Sequence, residues 1–228
     1  MSRRLSSVLA VLAALSAGLS AESPGRAEPP SSPWIFPVRF HFPWSAGEGP
    51  LDVDDVEAEL ERANAIFASA GIAFAPSRPE VRHGTDVPRA ARTRDERDAL
   101  VRLGSGPEIH VFVVEELFDV DEAGRRRMGV HWRVRGDVAK HGILLASYAL
   151  PTVLAHELGH YFGNPHSHVP DDLMSYVRTG TRPPFLSAGE IRRARTSARR
   201  YATSGELRVL TGARSRGSER PSPPGSRR

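Results

Sequence analysis

Apolar and polar residues follow two different periods along the middle of the chain, and these periods predict alternating strands and helices. The segment 34–42 (WIFPVRFHF) alternates as a half-buried strand does, and Pro37 indicates that the start of this strand lies at a sheet edge. From Asp52, which can cap a helix, apolar residues recur at helical spacing until Gly71 ends the helix. Residues 72–75 then predict the second strand of a strand–helix–strand unit.

The pattern continues with a short helix and three further strands. Thr93 and Glu96 have the spacing of a capping box, which predicts a helix that ends near Leu103. The run 109–114 (IHVFVV) is apolar almost throughout, as expected of a central strand. Two more strands are predicted at 128–134 and 142–148.

Two helices complete the predicted domain. The first covers 152–162, with Pro151 in its first turn. The second covers 191–201, and Ser187 and Glu190 form its capping box.

The two ends of the chain differ from this middle part. Residues 1–21 carry two arginines, then an apolar run over 8–19, which is the outline of a secretory signal peptide cleaved after Ala21. That run is short for a bilayer and no second long apolar run occurs, so we expect no membrane span in the mature protein. Residues 22–33 predict a flexible leader, and 204–228 predict a basic, disordered tail.

Composition and charge restrict the classes of protein to which this chain can belong. The length of 228 residues suffices for one domain with its own core, expected over 34–203. Cysteine is absent, which excludes disulfides and a cysteine-based latency switch. The net charge of +4 divides into +2 for 1–21, −6 for 22–185 and +8 for 186–228. The basic end favours an anionic partner such as a cell-surface polymer, and no nucleic acid is expected because no nucleic-acid motif accompanies it.

The stretch 155–176 (AHELGHYFGNPHSHVPDDLMSY) carries the strongest candidate chemistry. Its core has the pattern H-E-x-x-H-x-x-G-x-x-H, formed by His156, Glu157, His160, Gly163 and His166. Histidines four residues apart lie on one face of a helix and can aim both rings at one ion. A catalytic zinc usually takes three protein ligands and leaves its fourth position to water. Glu157 can reach that water as general base and then protonate the leaving amine.

The third ligand requires the chain to turn back after the helix. Gly163 is expected to end the helix in a conformation that costs other residues more, and Pro165 keeps the next residues from becoming helical. His168 is the alternative third ligand, but the position of Gly163 favours His166. A bare HExxH arises by chance in about one chain in a hundred of this length, and the added glycine and histidine lower that about a thousandfold. Two surface histidines on a helix are therefore the disfavoured interpretation.

The remaining histidines and two aspartates are interpreted as structural. Five histidines have no ligand spacing among themselves and predict strand or loop positions with satisfied hydrogen bonds: His41, His83, His110, His131 and His141. Asp171 and Asp172 could contribute to a calcium site, but two adjacent carboxylates are more typical of a solvated loop. The sequence leaves calcium undecided.

The segment 148–176 resembles the active site of the metzincin clan of zinc endopeptidases, with the motif complete at every required position. The resemblance implies that Glu157 is the catalytic base. It also implies that one zinc ion is bound by three histidines, namely His156, His160 and His166.

The residues after the third histidine combine features of several subfamilies. Met174 corresponds to the methionine turn, which in the clan forms a hydrophobic floor beneath the metal. The short gap to Met174 and the presence of Ser167 resemble matrixins. Tyr176 resembles the tyrosine of the astacin and serralysin turn, which can approach the zinc and stabilise the transition state. A tyrosine that only packs beside the turn is the alternative.

The order of elements also resembles the metzincin clan. It implies an α+β fold with a twisted mixed sheet, a long helix and an active-site helix, then a small C-terminal subdomain with the Met-turn and a terminal helix. In the clan the fourth strand is an antiparallel edge along which the extended substrate lies. By order this is 128–134, and substrate binding would be strand addition.

These features predict a secreted or periplasmic zinc-dependent endopeptidase that hydrolyses peptide bonds in proteins or peptides. A non-catalytic, zinc-dependent extracellular binding module of the same fold is the alternative, and it would need the histidines but not Glu157. A polybasic adhesin with an incidental zinc site is a third interpretation.

Overall fold

The computed structural model describes residues 33–84 and 87–210. The helices are α1 (Val53–Phe67), α2 (Arg94–Leu103), α3 (Val153–Tyr161) and α4 (Ala188–Ser204). The strands are β1 (Trp34–Phe42), β2 (Ile72–Pro76), β3 (Val81–Arg82), β4 (Ala90–Ala91), β5 (Ile109–Val114), β6 (Glu116–Leu117), β7 (Gly129–Val134) and β8 (Asp137–Ala146). The predicted signal peptide, the predicted leader as far as residue 32 and the predicted tail from 211 lie outside the described residues. No helix of the described part combines the length and apolar character needed to cross a membrane.

A mixed sheet organises the fold. Its strand order is β2-β1-β5-β8-β7, with β3 also paired to β1. Strand β7 runs antiparallel to β8, whereas the other pairs in this sheet are parallel. A small second sheet pairs β4 with β6. The prediction that 128–134 contains an antiparallel edge strand is therefore confirmed.

The prediction from Pro37 that the start of β1 lies at an edge of the sheet agrees with the strand pairing. Residues 34–37 pair with β2, whereas β5 begins to pair with β1 only at Val38, opposite Ile109. From Val38 onward β1 lies between β2 and β5. The Trp34 N–H donates to the Gly71 carbonyl beside β2. Successive backbone N–H groups of a strand point to opposite sides, so the Pro37 nitrogen faces the side of β5, at a point before β5 begins. The missing N–H therefore interrupts no ladder bond with β5.

Both faces of the sheet are covered, as the apolar run of β5 predicts. Val111 and Val113 pack into the larger core cluster, together with residues of α1 and α3. Phe112 and Val114 point the opposite way and pack against residues of α2. All six residues of β5 are consequently buried. Val111 and Val113 thus share one core with α3, the helix that carries the candidate metal ligands.

The start of α3 differs from the prediction. Pro151 lies before the helix, because Thr152 is the cap and has a φ of 77°, outside the helical region. The N–H of Thr152 donates to Glu59 Oε2 on α1 at 3.0 Å. This bond ties the beginning of α3 to the long helix.

The first residues of the predicted tail are ordered, so the prediction of disorder from 204 is wrong for 204–210, beginning with Ser204 at the end of α4. Leu207 is 2% exposed and belongs to the main core cluster. Arg208 forms an ion pair with Glu108 at 2.8 Å. The N–H of Leu210 donates to the Ile35 carbonyl at 2.8 Å. The domain boundary at 203 is therefore too early, because isolated contacts such as these produce no sustained apolar pattern.

Substitution of Leu207 by alanine is expected to lower the free energy of unfolding by about 2–5 kcal/mol, the usual cost of truncating a buried leucine. Denaturant unfolding of the two proteins measures this difference. Leu103→Ala is the matched control, since Leu103 is 45% exposed at the end of α2 and should change stability little. Equal stability of the Leu207→Ala variant and the wild type would show that this segment does not contribute to the fold.

Candidate active site

Helix α3 and the loop after it bring three histidines together. His156 and His160 lie one turn apart on α3, and their ring centroids are 4.8 Å apart. His166 approaches from the loop, with its Nε2 atom 3.0 Å from Nε2 of His160. One ligand nitrogen from each ring lies within 4.8 Å of the other two. His168 is exposed and does not belong to this cluster.

The turn that returns His166 to the site depends on Gly163. Its φ is 87°, in the left-handed region that glycine adopts at low cost. The N–H groups of Gly163 and Asn164 donate to the His160 and Gly159 carbonyls at 3.0 and 2.9 Å, which closes the end of the helix. Pro165 follows, and His166 then faces the two histidines of α3. The turn thus has the form that the spacing of the motif predicts.

Backbone carbonyls orient the two helical rings. His156 Nδ1 donates to the Leu173 carbonyl at 2.9 Å, and His160 Nδ1 donates to the Asn164 carbonyl at 2.9 Å. Each ring therefore keeps its proton on Nδ1 and presents the Nε2 lone pair to the site, which is the arrangement of a metal-binding imidazole. Burial lowers the pKa of His160 to about 4 and also lowers the pKa of His156, so both rings are neutral near pH 7. This donor set fits a zinc ion.

Glu157 lies between α3 and the edge strand. Its side chain is buried, and burial raises the pKa of its carboxyl to about 7. Oε2 accepts a hydrogen bond of 2.7 Å from the backbone N–H of His131 on β7. A Cβ at Gly129 would come within 2.8 Å of Glu157 Cγ, so glycine at this position allows β7 to approach the helix closely.

Tyr176 reaches the edge of the histidine cluster. Its hydroxyl lies 2.7 Å from Nε2 of His166, although the residue as a whole is 70% exposed. The ring centroids of Tyr176 and His166 are 4.7 Å apart. The phenol hydroxyl is therefore close enough to form a hydrogen bond with a substrate atom bound at the histidine cluster.

Met174 packs beneath the helix that carries the histidines. It is fully buried, and a Cβ at Gly159 would lie only 2.3 Å from its sulfur. The N–H of Met174 donates to Asp172 Oδ1 at 2.9 Å. The turn that follows the third histidine is thereby held against α3.

Asp171 and Asp172 are buried, so the interpretation of a solvated loop is wrong. Asp171 accepts hydrogen bonds from the N–H of Thr179 at 2.7 Å and from its hydroxyl. Asp172 holds Met174, as described above. Both carboxylates thus organise the loop around Met174.

Five other histidines form two hydrogen-bonded groups that do not include the triad. His41 bonds through its two ring nitrogens to His83 at 3.1 Å and to His110 at 3.0 Å. Burial lowers the pKa of His41 to about 3, so this ring is neutral. His131 Nε2 bonds to His141 Nδ1 at 2.8 Å, and His141 continues to Glu206 at 3.0 Å. Within the described residues neither group gathers three ligand atoms around one point.

Two cavities flank the cluster and form a cleft along β7. The first, of about 430 Å³, touches His156 and Glu157 and is called the Arg178 cavity after a residue that lines it. The second, of about 590 Å³, touches Glu157, His160 and His166 and is called the His166 cavity. Both include Gly129, Glu157 and Tyr176, so the cleft passes over the candidate metal ligands.

Several groups of this site were not identified in the sequence. The carbonyls of Leu173 and Asn164 and the N–H of His131 are backbone atoms, and residue type does not reveal them. Arg178 is a side chain, and its position two residues after Tyr176 was a signal that could have been used. Its Nη atoms donate to the Asp172 and Leu173 carbonyls at 2.8 and 3.2 Å.

Comparison with solved structures shows which fold this is. No protein-family model matches the chain, and no curated protein matches it in sequence. A structure of mirolysin in complex with compound 9 matches with a TM-score of 0.58 at 11% identity, over 77% of this chain and 98% of mirolysin. Mature mirolysin of Tannerella forsythia with a cleaved peptide matches with a TM-score of 0.54 at 11% identity, over 75% and 96% of the two chains. Promirolysin of the same organism gives 0.54 at 11%, over 78% and 86%.

The chain therefore has the metzincin-like fold predicted from its motif, a mixed α/β fold shared with zinc metalloproteases. At 11% identity this likeness concerns the fold. Function depends on the residues of the site rather than on the fold.

Proposed function

We propose that this protein is a zinc-dependent endopeptidase that hydrolyses peptide bonds in proteins or peptides. One observation carries the proposal: the three histidine nitrogens lie within 4.8 Å of one another beside the buried carboxylate of Glu157. A binding module needs the histidines but has no use for a base held at this point. The peptide bound to mature mirolysin supports a peptide substrate here, since the two folds agree.

The residues of the site divide the reaction between them. His156, His160 and His166 would hold the zinc ion, which when bound lowers the pKa of a water molecule and polarises the scissile carbonyl. Glu157 accepts the proton of the attacking water and transfers it to the leaving amine nitrogen. Tyr176 donates a hydrogen bond to the oxyanion that forms on the carbonyl.

The substrate is proposed to bind as an added strand along β7. This strand is the edge of the sheet, and the cleft runs beside it over the cluster. Main-chain hydrogen bonds to an edge strand give affinity without demanding a particular sequence. The N–H of His131, which donates to Glu157, connects this strand to the proposed base.

The proposed site of action is outside the cytoplasm, in the secreted or periplasmic fraction. The basis is the sequence of residues 1–21, with two arginines, an apolar run and a small residue at the expected cleavage point. Determination of the N-terminal residue of the exported protein tests this part, and Glu22 is the expected first residue.

The experiment that tests the function is proteolysis of an unfolded protein by purified residues 22–228, with the product termini mapped by mass spectrometry. Internal cleavages are expected, together with their loss on treatment with a chelator and their return when zinc is added. Release of single terminal residues alone would contradict an endopeptidase. Cleavage that persists without metal would contradict the role of zinc.

Substitution of Tyr176 by phenylalanine is expected to lower the turnover number about a hundredfold, the usual cost of one lost oxyanion donor. The Michaelis constant should change little, because this hydrogen bond exists mainly in the transition state. Steady-state kinetics on one peptide measures both constants. Tyr148→Phe is the control, since the Tyr148 hydroxyl bonds to carbonyls away from the histidines. A turnover number within about threefold of wild type would instead indicate a tyrosine that only packs beside the turn.

A further inference from the structure

The Arg178 cavity has apolar walls and lies on one side of the proposed metal site. Its apolar lining comes from four side chains, namely Met128, Leu150, Pro151 and Val153. It opens next to His156 and Glu157, so a side chain bound in it belongs to a residue adjacent to the reacting bond. Its volume of about 430 Å³ is large enough for any natural side chain.

The charges around this cavity are unbalanced. Four arginines line it, and Glu157 is the one carboxylate among its lining residues. Three of the arginines are paired with acidic partners: Arg125 with Glu122 at 2.6 Å, Arg126 with Glu116 at 2.7 Å and Arg127 with Asp119 at 2.6 Å. Glu116 also pairs with Arg92 at 3.1 Å. The guanidiniums of Arg125, Arg126 and Arg127 are therefore already engaged in ion pairs.

Arg178 differs from the other three. Its Nη1 and Nη2 atoms donate to the backbone carbonyls of Asp172 and Leu173, and no ion pair joins it to a carboxylate within the described part of the chain. Two carbonyls hold the guanidinium in place without cancelling its charge. Arg178 is thus a positioned cation in a largely apolar cavity, and its remaining N–H groups are suited to a carboxylate.

We propose that the Arg178 cavity is a specificity subsite for an acidic side chain, Asp or Glu, of the substrate. This rests on the proposed function. The cavity would bind such a side chain through Arg178, while the apolar walls receive its methylene groups. A lysine or arginine side chain at the same position would face a cation of like charge and bind poorly.

The direction of β7 assigns the subsite to one side of the cleaved bond. The Arg178 cavity touches Gly129, at the beginning of β7, whereas the His166 cavity also touches residues up to Arg133 near its end. Antiparallel pairing is the more stable arrangement of two strands. A peptide that pairs in this way with β7 runs from the His166 cavity to the Arg178 cavity. The acidic residue is therefore the one after the cleaved bond.

The His166 cavity provides an internal comparison. Its lining contains both signs of charge, with Asp119 and Asp121 beside Arg97, Arg127 and Arg133. A mixed lining favours neither an acidic nor a basic side chain strongly. Substitutions before the cleaved bond should therefore alter the cleavage rate less than substitutions after it.

The test uses peptides that differ only at the residue after the cleaved bond, which is Glu, Gln or Lys. For zinc-loaded wild type we expect kcat/KM to be about tenfold higher with the Glu peptide than with the Gln peptide. This is the size expected for a hydrogen bond between charged partners at an exposed site. The Lys peptide should have the lowest kcat/KM. In Arg178→Gln the ratio of Glu to Gln should fall below about threefold. In Arg178→Lys, which keeps the charge, the preference for Glu should remain.

The ratio within each variant is the decisive quantity, because Arg178 also bonds to the Leu173 carbonyl that orients His156. A general loss of rate affects both peptides and leaves the ratio unchanged. Arg182→Gln is the matched control, since Arg182 is exposed on the same loop and does not line the cavity. Its ratio should equal that of wild type.

Three results would overturn the inference. Equal cleavage of the Glu and Gln peptides by wild type would show that the cavity has no acidic preference while the protease function stands. An unchanged tenfold ratio in Arg178→Gln would remove Arg178 from that preference. Failure to cleave any of the peptides would contradict the proposed function itself, and the subsite with it.

Discussion

Replacement of Glu157 by glutamine is expected to lower the turnover number by a factor of about 10²–10⁴, the contribution of a positioned general acid–base group. Glutamine has nearly the same shape, and its amide oxygen can still accept the hydrogen bond that Glu157 receives from the N–H of His131. It cannot take a proton from water. The fold and the metal site should therefore remain while the reaction is lost.

Three measurements make this prediction specific. Steady-state kinetics gives the turnover number, metal analysis gives the zinc content and thermal unfolding gives the stability. Glu61→Gln is the control, because Glu61 is exposed on α1 and should have wild-type activity. Wild-type turnover in Glu157→Gln would exclude Glu157 as the base, whereas loss of zinc in that variant would mean that its carboxylate supports the metal site.

Replacement of His166 by alanine is expected to remove zinc and activity together. Mutation of a group that only supports a metal ligand typically costs 10–100-fold in affinity, and loss of one of three ligands should exceed about a hundredfold. Competition with a chelator of known affinity measures the change. His168→Ala is the matched control, since His168 lies two residues further on and outside the cluster.

The outcome separates the two candidate third ligands. Zinc affinity and activity should be unchanged in His168→Ala. Full zinc binding in His166→Ala, with loss in His168→Ala, would transfer the role to His168 and contradict the geometry described above.

The central elements could be predicted because their residues alternate or recur with a clear period. The strand over 34–42 and the strand over 109–114 have the predicted bounds. The beginning of β8 was missed, since Asp137–Lys140 show no clear apolar alternation and are exposed or half-buried. The pairing of β7 with β8, rather than burial, makes this segment a strand. Backbone pairing of this kind leaves no hydrophobic pattern in the sequence.

The histidine triad could be predicted because a helix and a glycine turn convert sequence spacing directly into position. His156 and His160 share one helix face, and Gly163 takes the left-handed conformation that returns His166. The supports of these ligands could not be predicted in the same way. The Leu173 carbonyl that orients His156 arrives from a loop 17 residues later, and only the folded chain places it there.

The most direct test of the central claim is a titration of zinc into chelator-treated protein, with the cleavage rate of a peptide followed at each addition. We expect no cleavage without metal and a rise that reaches its plateau at about one equivalent of zinc. In Glu157→Gln we expect one equivalent to bind while cleavage stays at least about a hundredfold slower. Full activity of the metal-free protein would contradict the proposed function. Binding of one zinc by wild type with no cleavage of any protein or peptide would contradict it equally, and would identify a binding module that keeps the protease fold.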